Sequence, residues 1–166
     1  MSKYAVTLRA LETTDMAFSE HVYATSRADE MSHSGWSAGE IAAFLSMQFN
    51  AQHRYYQEHF RGGEFLIIEL DGQPIGRLYV FVGKNTLTLI DIALLPDFQG
   101  QGIGTSLVHQ QLQRADDHGL AVELSVETYN RAQRLYVRAG FHVINETGVY
   151  LRMRRQALVT SPAVAS

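Results

Sequence analysis

Three glycines alternate with other residues in a short loop that could hold an anion. Gly100, Gly102 and Gly104 follow an apolar run that ends at Pro96, and they precede a segment with helical spacing of apolar residues. Glycine leaves the backbone unobstructed, so the N–H groups at the start of that helix can converge on a negatively charged group. This chemistry suits a pyrophosphate, although a tight connection between a strand and a helix has the same composition.

The spacing of this loop excludes the two commonest nucleotide-binding motifs. A Walker loop ends in Gly-Lys-Ser/Thr, whereas Gly104 is followed by Thr105 and Ser106. A dinucleotide-binding loop requires Gly-x-Gly-x-x-Gly/Ala, and its last position is Thr105 or Leu107 in the two registers. The motif that remains is Gln-x-x-Gly-x-Gly, which begins at Gln99.

The amino-acid composition excludes several kinds of site and partner. Cysteine is absent, so the chain has no disulfide and no thiolate nucleophile. His53 and His59 do not share a helix face at ligand spacing, and no metal site is predicted. The formal net charge of -3 disfavours nucleic acid as a partner, and no apolar run has the length of a membrane span. We therefore expect a cytoplasmic protein, with a single domain over residues 1–155 and a flexible tail over 156–166.

The hydrophobic pattern predicts the elements that position the loop. Ser37 with Glu40 forms a capping box at the start of a long helix, which follows a linking segment from Ala28 to Ser37. Short turns join the three strands before the loop, which implies an antiparallel meander. Strands are predicted at residues 4–9, 65–70, 74–82, 86–94, 122–128, 141–144 and 149–153, and helices at about 15–27, 37–60, 103–118 and 130–138.

Two segments resemble the GNAT superfamily of N-acetyltransferases. The stretch from Gln99 to Gly104, preceded by Ile92-Ala-Leu-Leu-Pro96, is similar to its acetyl-CoA-binding motif Arg/Gln-x-x-Gly-x-Gly/Ala. The stretch from Asn130 to Phe141 is similar to its Asn...Ala...Leu-Tyr...Gly-Phe signature. The resemblance implies an α/β fold: a mixed, mostly antiparallel seven-stranded sheet flanked by about four helices. Its fourth and fifth strands splay apart around the pantetheine arm of the cofactor.

The same resemblance implies roles for particular residues. Tyr136 matches the tyrosine that protonates the leaving thiolate, and a phenol keeps its proton at neutral pH. The base is less directly implied, because the positions that align with the usual base are Thr88 and Ile90. Among the carboxylates Glu127 is our candidate, ahead of Glu123 and Asp91, and a water chain without a dedicated base is an equal alternative. The cofactor would be bound by residues Ile92, Ala93, Leu94, Gln99, Gly100, Gln101, Gly102, Ile103, Gly104, Thr105 and Asn130.

We therefore expect an acetyl-CoA-dependent N-acetyltransferase that acts by direct attack of an amine in a ternary complex, without a metal. The alternative is a non-catalytic acyl-CoA-binding sensor or partner module. The sequence does not identify the acceptor, which is a small-molecule or peptide amine, or the acyl-chain preference. The oligomeric state is also undetermined, and a homodimer is one option. The acceptor pocket is expected to draw on Met31, His33, Trp36, Phe49, His53, Tyr56 and Tyr79, most of which also suit the core.

Overall fold

The computed structural model describes residues 5–158, and its elements follow the predicted order. The strands are β1 (Val6–Ala10), β2 (Glu64–Leu70), β3 (Gln73–Val82), β4 (Thr86–Leu94), β5 (Ala121–Glu127), β6 (His142–Glu146) and β7 (Tyr150–Arg155). The helices are α1 (Met16–Ser32), α2 (Ala38–His59), α3 (Ile103–Asp117) and α4 (Ala132–Arg138).

These strands form one sheet in the order β1-β2-β3-β4-β5-β7-β6. β1 pairs antiparallel with β2, and β7 pairs antiparallel with both β5 and β6. β4 and β5 are parallel, and their ladder joins Thr86–Leu89 to Ala121–Leu124. A parallel pair requires a crossover connection, which α3 supplies. The predicted mixed, mostly antiparallel seven-stranded sheet with four helices is confirmed.

The first helix is longer than the sequence predicted. We expected a linking segment from Ala28 to Ser37, but α1 continues to Ser32. The reason is tertiary, because Met31 is buried in a core cluster with Tyr23, Leu45 and Phe49, and this packing holds the last turn of α1 in the helix.

The second helix begins as its capping residues predicted. The Glu40 backbone N–H donates to Ser37 Oγ at 3.2 Å, and the Ser37 backbone N–H donates to Glu40 Oε1 at 3.2 Å. Two of the orphan N–H groups at this helix start are therefore satisfied by local sequence alone.

Two compact units make up the described chain. The first unit contains residues 5–79 and 91–104, and the second contains residues 80–90 and 105–158. The first unit encloses the Tyr23 cluster between α1 and α2. The second unit buries one face of α3 and alternate residues of β5, including Leu107, Leu112 and Leu124. The single domain over 1–155 stays a prediction, as does the flexible tail, of which residues 159–166 lie outside the described chain.

Candidate functional site

The glycine loop of the first unit has the backbone conformation that only glycine adopts readily. Gly100 has φ +74° and Gly102 has φ +82°, both in the left-handed region. A Cβ atom at either position would meet no heavy atom within 4 Å, so the glycines are required by conformation and not by lack of space. α3 begins at Ile103, directly after the second of these residues. The loop therefore delivers the chain to a helix N-terminus with open space beside its backbone.

Side chains of the loop are used to hold its shape. Gln99 Nε2 donates to the Leu94 carbonyl at 2.9 Å, and Gln101 Nε2 donates to the Asp97 carbonyl at 2.9 Å. The Leu95 backbone N–H donates to the Ile75 carbonyl at 2.9 Å, which ties the start of the loop to β3. These two glutamines thus anchor the loop, and its backbone N–H groups are what it offers to an anion.

The end of β4 lies against a glycine of β3. A Cβ atom on Gly76 would collide with the Ala93 carbonyl oxygen and would lie 3.1 Å from Leu94 Cα. No larger residue fits at this position without moving the strand, so Gly76 allows a close backbone approach. Leu94 is buried, whereas Ile92 and Ala93 are half-buried. The three residues predicted to face the cofactor therefore lie where two strands are pressed together.

The second unit contains Thr105 of the glycine-loop set and three further predicted site residues: Glu127 at the end of β5, Asn130 just before α4 and Tyr136 on α4. Asn130 Nδ2 donates to Glu127 Oε2 at 3.0 Å, and the Ala132 backbone N–H donates to Asn130 Oδ1 at 2.8 Å. Asn130 therefore caps the first turn of α4 and holds the predicted base at the same time. The structure gives this asparagine a local role that the sequence pattern did not suggest.

Tyr136 lies on α4 and is buried. Its ring contacts Phe141 edge-on, with ring centroids 5.6 Å apart, and its backbone carbonyl accepts a hydrogen bond from the Phe141 N–H at 3.0 Å. The Leu-Tyr...Gly-Phe spacing thus brings the two rings together within the second unit. The acid role of Tyr136 and the base role of Glu127 stay predictions, as do the cofactor contacts of the glycine loop.

The first unit contains a buried cation, Arg77, that was not among the site residues predicted from the sequence. Arg77 is 2% exposed, and its Nε donates to Asp91 Oδ2 at 2.7 Å. Its Nη1 donates to Ser19 Oγ at 3.1 Å, and its Nη2 donates to Gln52 Oε1 at 3.2 Å. The only sequence signal is a charge inside the apolar run of β3, which does not reveal its partners on α1, α2 and β4.

Aromatic rings complete the surroundings of this arginine. The guanidinium carbon lies 4.8 Å from the Tyr79 ring centroid and 5.7 Å from that of Tyr23, both within cation–π range. Burial and the positive charge of Arg77 lower the pKa of His53, whose ring stacks on Phe49. His53 is therefore neutral at pH 7, since even an unperturbed imidazole titrates near pH 6.5.

Several residues expected around the acceptor contact one another: the His53 ring stacks on Phe49, and the ring centroids of Tyr56 and Tyr79 lie 6.1 Å apart. Met31, Phe49 and Tyr79 are buried, and the first two belong to the Tyr23 cluster. Trp36 is exposed, with its ring edge-on to Phe44 at 5.1 Å. In residues 5–158 no set of three or more His, Asp or Glu side chains could hold a metal ion. The same residues contain no helix with the length and apolar character needed to cross a membrane.

The sequence also matches a family model. The model described as the Acetyltransferase (GNAT) family matches residues 17–141, which include the glycine loop, Asn130 and Tyr136. The match begins well before Ile92, the first residue of the motifs recognised in the sequence.

Two curated relatives share part of the sequence. An uncharacterised N-acetyltransferase of Methanocaldococcus jannaschii is 33% identical over 100 residues, which cover 54% of this chain and 43% of that protein. An uncharacterised N-acetyltransferase of Mycobacterium tuberculosis is 37% identical over 76 residues, 44% of this chain and 49% of that protein. This chain therefore spans about half the length of the curated relatives it matches.

Solved structures share the fold. The PaiA N-acetyltransferase from Thermoplasma acidophilum, determined in complex with coenzyme A, matches with a TM-score of 0.69 at 18% identity, over 92% of this chain and 99% of that chain. The ribosomal-protein-S18-alanine N-acetyltransferase from Escherichia coli matches with a TM-score of 0.63 at 21% identity, over 95% and 98% of the two chains. Identities this low establish the fold alone.

Proposed function

The chain belongs to the GNAT family of acetyltransferases, and from that premise we propose that it transfers the acetyl group of acetyl-CoA to a primary amine. The observation that carries the proposal is the glycine loop, whose two left-handed glycines lead directly into α3. A helix start with free N–H groups favours an anion such as the cofactor pyrophosphate. The coenzyme A bound to a protein of the same fold is consistent with this cofactor.

Most of the proposed cofactor contacts come from the backbone of the first unit. The N–H groups from Gln99 to Thr105 would bind the pyrophosphate, since the glutamine side chains are already used within the loop. Backbone groups of Ile92, Ala93 and Leu94 would pair with the pantetheine and polarise the thioester carbonyl. Asn130 would contact the cofactor arm while capping α4.

The reaction needs one base and one acid. The amine nitrogen attacks the thioester carbonyl carbon, the carbon–sulfur bond breaks, and the amine loses one proton to a base, for which we propose Glu127. The thiolate takes a proton from the phenol of Tyr136. No covalent cysteine intermediate arises because the chain has no cysteine, so transfer is direct within a ternary complex.

One observation favours a second function, a non-catalytic acyl-CoA sensor or partner module. The family positions that often carry the base are occupied by Thr88 and Ile90, and neither side chain accepts a proton usefully at neutral pH. Such a module would keep cofactor affinity without turnover. The cytoplasmic location and the homodimer also stay proposals.

The replacement of Tyr136 by phenylalanine separates the two functions. We expect kcat for thiol release to fall on the order of 100-fold, because the general acid is lost. The dissociation constant for acetyl-CoA, measured by calorimetry, should stay within about twofold, since the ring and its packing on Phe141 are kept. The matched control is Tyr150→Phe, which removes the hydroxyl of an exposed tyrosine on β7 and should leave both quantities unchanged.

Other results of this experiment would have a clear meaning. Cofactor binding by the wild-type protein without thiol release from any amine would favour the sensor. Equal turnover in the wild type and in Tyr136→Phe would contradict the acid role.

A further inference from the structure

The carboxylate of Asp91 holds Arg77 through one of its two oxygens. Arg77 Nε and Nη2 both lie 2.7 Å from Oδ2. Among residues 5–158, no side chain or backbone group donates a hydrogen bond to Oδ1 of this aspartate. The Asp91 side chain is 28% exposed, so this oxygen is within reach of a ligand.

This arrangement differs from the other close arginine–aspartate pairs of the described chain. Arg9 donates to both oxygens of Asp15, at 2.7 and 2.9 Å. Arg155 donates to both oxygens of Asp116, at 2.9 and 3.0 Å. A guanidinium fork normally pairs with two carboxylate oxygens. Because Arg77 contacts only Oδ2 of Asp91, the Oδ1 atom can still accept a hydrogen bond from a ligand.

The arginine that holds this aspartate is fixed by further hydrogen bonds. Arg77 is buried and is also held by Ser19 and Gln52, so it cannot turn to cover the second oxygen without breaking those bonds. A carboxylate acts only as an acceptor when ionised, and its partners are therefore N–H or O–H donors. Charge-assisted bonds from an amine are the strong ones.

Asp91 also lies beside the strand segment proposed to hold the thioester. It directly precedes Ile92 on β4, and it is two residues from Ala93, roughly 7 Å along a strand. Both belong to the first unit. An amino group bound at Asp91 would thus be held close to that segment.

We propose that Asp91 Oδ1 binds the amino group of the acceptor, with Arg77 as the positioning residue. This inference rests on the proposed function, because only an acetyltransferase has an acceptor. Binding of an amine at Asp91 can nevertheless be tested without turnover. It predicts an acceptor with a primary amino group that donates N–H bonds, and it predicts that an alcohol of the same shape binds far more weakly.

The test uses butylammonium chloride as the probe and butanol as its uncharged counterpart. Each is titrated into the full-length ¹⁵N-labelled protein loaded with coenzyme A, and the amide signals of residues 90–94 are followed. We expect saturable shifts with butylammonium, and a dissociation constant at least tenfold higher for Asp91→Asn. This substitution keeps an oxygen acceptor for Arg77. Asp29→Asn, at an exposed position of α1, is the matched control and should bind as the wild type does.

The kinetic arm then uses whichever amine supports thiol release. Asp91→Asn leaves the buried Arg77 charge without a counter-ion, so its melting temperature should fall. Measured well below that temperature, the variant should have a KM for that amine at least tenfold higher, with the acetyl-CoA dissociation constant close to wild type. A merely structural role would instead change the cofactor affinity together with KM. Equal butylammonium affinity in the wild type and in Asp91→Asn, or equal affinity for butanol, would overturn the proposal. Amine binding without turnover from any amine would refute the proposed function and leave this site intact.

Discussion

Two arginine–aspartate pairs in residues 5–158 have a buried arginine, and they differ in which carboxylate oxygens they leave without a partner. In the second unit, Arg155 donates to both oxygens of Asp116, and the Leu158 N–H donates to Asp116 Oδ1 at 2.9 Å. Arg155 Nε also donates to the Ala139 carbonyl at 3.1 Å. In the first unit, Arg77 uses one oxygen of Asp91 and leaves the other open. We call Arg155–Asp116 the closed pair, because both of its carboxylate oxygens accept hydrogen bonds, and Arg77–Asp91 the open pair, because only one does.

This difference separates a pair that builds the fold from a pair that can serve a site. The closed pair joins α3, the end of α4, β7 and the chain after it, with a buried arginine at 7% exposure and an aspartate at 14%. The open pair combines an arginine at 2% exposure with an aspartate at 28%. Burying a charge is costly unless it is paired, so each arginine needs its carboxylate. Only Asp91 has binding capacity left after meeting that need.

The largest expected effect is on the closed pair. Asp116→Ala leaves the Arg155 charge buried without a counter-ion, and we expect the free energy of unfolding to fall by about 3–5 kcal/mol. Urea denaturation followed by circular dichroism measures this change. A loss below about 1 kcal/mol would show that the pair behaves as a surface pair does.

A pH series checks the same pair without relying on a truncation. The hydrogen bonds from Arg155 lower the pKa of Asp116 below its ordinary value. Its contribution to stability is therefore fully present above the unfolded pKa, about 3.9, and is lost as the pH falls through the lower folded pKa. As the pH falls from about 3.9, the free energy of unfolding of Asp116→Asn should decline less steeply than that of the wild type. An identical slope in both proteins would contradict the assignment.

An intermediate effect is expected from the cation of the open pair. Arg77→Met removes the charge and leaves Asp91, which is exposed enough to be hydrated, so we expect a loss of about 1–3 kcal/mol. Asp91→Ala should lower the free energy of unfolding by more, because it leaves the buried Arg77 guanidinium without a counter-ion. Thermal unfolding of the two variants tests this ranking. The reverse order would mean that Asp91, and not Arg77, is the group the fold needs to neutralise.

The smallest effect is expected at a loose pair on the surface of the second unit. Glu123 lies 3.5 Å from Arg154 Nη1 and 3.8 Å from Arg152 Nε, and these arginines are 32% and 41% exposed. Exposed pairs at such distances contribute little, so Glu123→Gln should change the free energy of unfolding by less than about 1 kcal/mol. Calorimetric melting measures it, with Asp116→Asn as the reference. A larger loss would place Glu123 among the residues that support the fold.

Local sequence was enough where neighbouring residues determine the structure. The Ser37 capping box and the glycine loop directly before α3 were predicted, because each depends on residues within a few positions of one another. The order of elements along the chain was predicted from the hydrophobic pattern. The end of α1 was mispredicted, since it depends on the burial of Met31 against α2. The hydrogen bond of Asn130 to Glu127 was also missed, although the two are close in sequence.

The sequence by itself therefore determined the family, the order of elements and the position of the glycine loop before α3. Only the tertiary structure decided which charges meet. Arg77 finds partners at Ser19, Gln52 and Asp91, and Arg155 finds Asp116, 39 residues away. A charge inside a strand signals that a partner must exist, because an unpaired buried charge is too costly. The packing of distant elements decides which partner it is, and whether an oxygen of that partner is left for a ligand.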